Sequence, residues 1–121
     1  MQPHRRAQMV QRLYKPLLID SVKAKTNLPK QRFIGFDGNL CTAGTKAYGV
    51  CDVETDAGQF APAAVLGILL VEAGGAIPAQ AKITSDANGR ATAITSTEEV
   101  NGYAIDSASG AGEIIRIIRG I

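Results

Sequence analysis

A chain of 121 residues, 45% apolar and with a net charge of +2, is sized for one domain, or one domain with an extended arm, and not for two independent domains. Its continuous apolar run, residues 61–71, ends in Glu72 and falls short of the roughly 18 to 20 residues a membrane-spanning helix needs, while no apolar segment ahead of Lys15 and Pro16 reads as an export signal. The one histidine, His4, has no Ser or Cys nucleophile beside it, and Cys41 and Cys51 match no metal-ligand spacing, so neither an enzyme, nor a zinc site, nor a cofactor is expected.

Residues 1–32 contain Arg5, Arg6, Arg12, Lys15, Lys23, Lys25, Lys30 and Arg32 against Asp20 alone, a balance of +7; the remainder carries five basic and ten acidic residues, a balance of −5. A basic segment on an acidic body suits nucleic acid, an acidic protein surface or the body of a neighbouring copy. Residues 7–14 have the pattern of a short helix bracketed by Pro3 and Pro16, with Met9, Val10, Leu13 and Tyr14 as a narrow apolar stripe. So short a helix is marginal alone, and this segment has too few apolar groups to offset its own ordering entropy. We therefore expect a basic N-terminal arm, residues 1–16, ordered by a partner. Arg5, Arg6, Arg12 and Lys15 would supply its ionic contacts, and Met9, Leu13 and Tyr14 its apolar anchors. Tyr14 is the arm's single stacking ring and the body is acidic, which makes nucleic acid the weaker fit.

From Phe33 onward, short apolar runs alternate with turn signals at Asp37-Gly38-Asn39, Ala43-Gly44, Asp56-Ala57-Gly58, Gly74-Gly75, Asn88-Gly89 and Ser109-Gly110, a spacing that predicts six to eight strands. Gly35, Gly38 and Gly44 lack the Lys-Ser/Thr of a phosphate loop and read as turn glycines. Cys41 and Cys51 either meet across a hairpin or are two small buried thiols, with burial favoured. Asp52, Glu54 and Asp56 alternate and read as a solvated rim rather than a calcium site. Residues 63–71 form a continuous apolar run that reads as either a central buried strand or a short helix, with the strand favoured. Gly74-Gly75 reads as a turn requiring positive φ between two strands. Residues 113–119, rich in isoleucine, read as a strong closing strand.

A weak repeat of about fifty residues underlies this pattern. Asp37-Gly38, Gly49-Val50-Cys51-Asp52 and Ala57-Gly58-Gln59 are echoed by Asp86-Ala87-Asn88-Gly89, Gly102-Tyr103-Ala104-Ile105-Asp106 and Ala111-Gly112-Glu113. Two related β units sharing one core follow. The expected architecture is all-β, a small barrel or sandwich over residues 17–121.

Residues 71–91, with Val71-Glu72-Ala73-Gly74-Gly75-Ala76-Ile77-Pro78 and Ser85-Asp86-Ala87-Asn88-Gly89, resemble a segment common in bacteriophage capsid decoration (cement) proteins, as do Gly102-Tyr103-Ala104-Ile105-Asp106 and residues 108–114. The resemblance covers residues 33–121; the basic arm departs from it. It implies a β-barrel-like domain on the outer surface of the virion head, made in the host cytoplasm. Its partners would be neighbouring major capsid protein subunits and further copies of itself, as a trimer or, alternatively, a dimer. Such a protein needs a stable body and bridging surfaces, whose weak contacts symmetry multiplies. The competing readings are a nucleic-acid-binding accessory protein acting through the arm, and a tail or baseplate subunit.

Overall fold

The computed structural model describes residues 14–121. Eight strands follow one another along these residues with no helix between them: β1 (Lys15–Lys23), β2 (Phe33–Ile34), β3 (Gly49–Cys51), β4 (Phe60–Glu72), β5 (Lys82–Ser85), β6 (Ala91–Ala93), β7 (Gly102–Ala104) and β8 (Ile114–Arg119). All strand pairs are antiparallel, in the order β2-β3-β4-β8-β7-β5-β6, with β1 added to β4. Ala63 and Ala64 pair with both β3 and β1, and since a strand has two edges, β1 and β3 flank β4 on opposite sides. The Phe33 N–H donates to the Gly89 carbonyl (2.7 Å) and the Glu72 N–H to the Gln31 carbonyl (2.9 Å), and these bonds curl the sheet into a nearly closed barrel. The long apolar run is thus the central strand β4, and β8 is the C-terminal isoleucine strand paired along it.

The repeat is carried bond for bond by the backbone. Leu28 and Thr55 exchange N–H···O bonds of 2.8 and 2.9 Å, as Ile77 and Ala108 do at 2.9 and 2.8 Å; the Gln31 N–H donates to Cys51 and the Gln80 N–H to Ala104, both at 2.7 Å. Gln31 and Gln80 are the two non-glycine residues with positive φ among those described (64° and 70°), and Gly58 and Gly112 match at 89° and 93°. Each glutamine follows a proline by two residues, and a turn that begins on that proline places its third residue in the left-handed region. The two units therefore begin upstream of the turns that first expose the repeat. β1 leads into Ala24 and Leu28-Pro29 as the second half of β4 leads into Ala73 and Ile77-Pro78, and β4 closes the first unit while opening the second.

The main core unites Phe33, Val50 and Ala64 of the first unit with Leu69, Val71, Ile77, Ile83, Ile115 and Ile117; a smaller cluster of Ala24, Leu28, Ile34, Cys51, Ala61 and Ala63 fills the first unit. β4 serves both clusters from its two faces, which is why its sequence is continuously apolar instead of alternating. Cys41 and Cys51 are both free and buried, and desolvation raises the Cys51 thiol pKa. Gly74 and Gly75 depart from expectation, since neither has positive φ. The chain bends there with ordinary dihedrals. Gly74 is needed because the Asp86 carboxylate sits where a Cβ would project, whereas nothing lies within 4 Å of a Cβ at Gly75.

Candidate partner-binding surface

β1 lies along the rim of the barrel, paired with β4 on one edge and with no strand on its other edge among the described residues. Leu17 is 84% exposed, and Leu18 and Ile19 about half. Phe33, Val50, Ala64 and Ile19 form one cross-strand row. The first three are fully buried, so Ile19 brings the apolar core out to the surface. Leu66, opposite Leu18, and Phe60, opposite Lys23, extend the exposed apolar face along the same pair of strands. An apolar stretch on an unpaired edge strand is an aggregation hazard in isolation, and such patches mark interaction surfaces.

Of the residues expected to meet a partner, Arg5, Arg6, Met9, Arg12 and Leu13 lie outside the described residues. Lys15 is exposed and opens β1 opposite Ile68. Tyr14 is half-buried and packs against the main core. Burial, reinforced by the neighbouring Asp52 carboxylate, raises its hydroxyl pKa, so it stays neutral. The strand carrying Leu17, Leu18 and Ile19 was not singled out from sequence. Its local signal is the three consecutive apolar residues after Pro16, which the high charge of residues 1–32 masks.

The basic stretch does not remain free along its length. Arg32 is half-buried against Glu72 (3.4 Å) and donates to the Asn88 carbonyl (3.1 Å); Arg90 meets the same Glu72 carboxylate at 3.1 Å. Glu72 thereby ties the first unit to the second. Arg116 and Asp106 form a two-point ion pair, with bonds of 3.0 and 2.8 Å, which holds the Asp106 carboxyl below its usual range. Tyr48 bonds to Asp20 through its hydroxyl and packs edge-on to the exposed Phe36, ring centres 5.4 Å apart. Among the described residues no group of three His, Cys, Asp or Glu side chains is placed to hold a metal ion, and no helix is long and apolar enough to cross a membrane. Asp52, Glu54 and Asp56 lie beyond the end of β3, where Asp52 is half-buried and Glu54 and Asp56 are exposed.

These features define an all-β body whose conspicuous surface is an apolar edge strand. The family model described as phage cement protein matches residues 15–119, and the chain belongs to that family. It is a structural protein of a phage head. No curated protein matches the chain. Among solved structures, the head fiber gp8.5 N base of bacteriophage phi29 is similar in fold, with a TM-score of 0.69 and 22% identity over 84% of this chain and 92% of that one.

Proposed function

We propose that this protein binds the outer surface of a phage head and bridges neighbouring major capsid protein subunits, stabilising the expanded shell, and that it does so as a homotrimer. The observation that carries this reading is the apolar strand β1, with Leu17, Leu18 and Ile19 exposed at an unpaired edge, in a member of the phage cement protein family. In this reading Arg5, Arg6, Arg12 and Lys15 meet acidic capsid surface, Met9 and Leu13 supply apolar contacts, and Tyr14 anchors the root of the arm to the body. Each contact is weak, and three copies of each multiply into avidity.

The test is electron microscopy of expanded empty heads mixed with the purified protein. Added density at local symmetry axes or subunit junctions is the expected result, and the density reports the oligomer directly. A bare shell at saturating protein overturns the proposal and favours a place elsewhere in the virion. Because charges at the rim of an interface are screened within about 8 Å at physiological ionic strength, occupancy should also fall as salt is raised.

A further inference from the structure

One corner of the barrel is closed in the second unit and open in the first. The Asp52 N–H donates to the Pro62 carbonyl, and the Ile105 N–H to the Arg116 carbonyl, each at 2.9 Å. Val53 and Pro62 therefore stand where the repeat has Asp106 and Arg116. Phe60, opposite Lys23 on β1, corresponds in the same way to Ile114, opposite Glu72 on β4. In the second unit the Arg116 guanidinium reaches across the corner and donates to both Asp106 carboxylate oxygens, at 3.0 and 2.8 Å. Pro62 and Val53 cannot form that bridge. What remains is an open groove of about 690 Å³ whose walls include Val53, Glu54, Asp56, Phe60 and Pro62. The missing cover shows in exposure: Phe60 is 67% exposed and Val53 55%, against 36% for Ile114. Glu54 and Asp56 are exposed and have no ion-pair partner among the described residues.

We propose that this groove receives an arginine side chain from the capsid protein subunit beneath it, a guanidinium supplied by the partner where the second unit supplies its own. The inference rests on the head-binding reading above. Three observations select that occupant. The repeat itself covers the corresponding corner with an arginine. The chemistry of the walls matches the same side chain: its aliphatic stem lies on Phe60 and Val53 while its planar head meets Glu54 and Asp56, which a guanidinium can bind by two bonds and an ammonium cannot. Finally, Phe60 ends the exposed apolar face of β1 and β4, so a subunit lying along Leu18 and Leu66 reaches the groove as a continuation of one contact. Lys23 repels a cation on the β1 side of Phe60 and leaves the Glu54 and Asp56 side as its seat. The two ends of this strand pair then call for opposite charge on the shell, an acidic area at Lys15, opposite Ile68, and a basic group at Phe60. Such a pair of demands fixes the orientation in which the protein docks.

The chemistry of the groove is tested without a head. The isotopically labelled full chain is titrated with acetyl-Leu-Arg-Leu-amide and with its citrulline counterpart, which keeps the shape and loses the charge, and the amide resonances of residues 53–61 are followed by NMR. Saturable displacement by the arginine peptide is expected, with binding of the citrulline peptide weaker by about tenfold or more, as for loss of a charged hydrogen bond. The full-chain variant Glu54→Gln/Asp56→Asn should lose that preference. Val53→Asp/Pro62→Arg, which copies the ion pair of the second unit into the first, should no longer respond once circular dichroism shows it folded. No response of the parent to the arginine peptide, an equal response to both peptides, or a folded Val53→Asp/Pro62→Arg chain that still binds overturns the proposal. The source of the arginine is then read by electron microscopy of expanded empty heads, where half-occupancy should need about tenfold more of either variant than of the parent. Variants that decorate heads as the parent does overturn the capsid assignment. So does a lower oligomer mass of the variants in head-free solution, because a neighbouring copy then supplies the arginine. Heads left bare by the parent itself refute the head-binding reading and the capsid source with it, while the peptide titration decides the groove separately.

Discussion

The junction between the two units depends on Asn101, and replacing it gives a sharp test of how they are held together. Asn101 is 1% exposed; its side-chain oxygen accepts the Ala47 N–H at 2.8 Å and its amide donates to the Thr45 carbonyl at 2.9 Å. The Arg119 guanidinium completes the clamp, donating to the carbonyls of Ala47 (2.9 Å), Val65 (2.9 Å) and Asn101 (3.2 Å). Asn101→Ala removes both side-chain bonds and strands the N–H of the fully buried Ala47 away from water. An orphaned buried backbone group costs ~1–3 kcal/mol, so the pair amounts to about 2–5 kcal/mol, a large share of the ~5–15 kcal/mol typical of a domain. At roughly 3–5 °C per kcal/mol for a domain of this size, Tm should fall by about 6–25 °C. Urea unfolding checks this directly, with the midpoint lowered and the slope unchanged. Lys46→Ala is the control: it removes a bond of 2.6 Å between the same loop and Val100, but at an exposed site, and should stay within about 0.5 kcal/mol of the parent. A loss below about 1 kcal/mol for Asn101→Ala would refute the reasoning, because it would mean that the buried groups find other partners.

Glycine positions separate steric need from mere occurrence. A Cβ at Gly67 would lie 2.6 Å from the Lys15 carbonyl oxygen and 2.7 Å from the Leu17 nitrogen, at φ +109°, so Gly67→Ala should cost roughly 2–4 kcal/mol and disturb the β1–β4 register. Gly75→Ala meets nothing and, at ordinary φ, should be neutral or stabilising by up to ~1 kcal/mol, as thermal melts would record. Asp106 is held below its usual carboxylate range chiefly by its side-chain bonds to Arg116, so its stabilisation is present above its unfolded pKa near ~3.9 and disappears as pH falls through the lower folded value. The stability gap between parent and Asp106→Asn, read by urea melts, should therefore be widest near neutral pH and close in strong acid; a gap constant with pH would count against the ion pair. Both thiols are buried, so a thiol-specific reagent should label Cys41 and Cys51 in the native protein only as fast as it unfolds, and rapid labelling would contradict the packing.

Much of the architecture could be read locally. Turn residues at Asp37-Gly38, Asp56-Ala57-Gly58 and Asn88-Gly89 announce themselves because positive φ and side-chain-to-backbone bonding restrict which residues fit, and Gly38, Gly58 and Gly89 all have positive φ. The isoleucines of β8 announce a strand through their branching. The acidic rim was also visible, as charge that had no reason to be buried.

What composition and local pattern determined was an all-β chain of two echoing units, since turns and strand preference are properties of a few neighbouring residues. The tertiary structure alone decided the rest. It decided that β4 belongs to both units, that Leu17, Leu18 and Ile19 stand on an edge with no partner strand among the described residues, that Glu72 holds arginines from both units, and that Asn101 and Arg119 clamp backbone more than fifty residues away in sequence. These outcomes depend on which strand lies against which and in what register. That choice follows from how the whole set of apolar side chains packs, and no short window of sequence contains it.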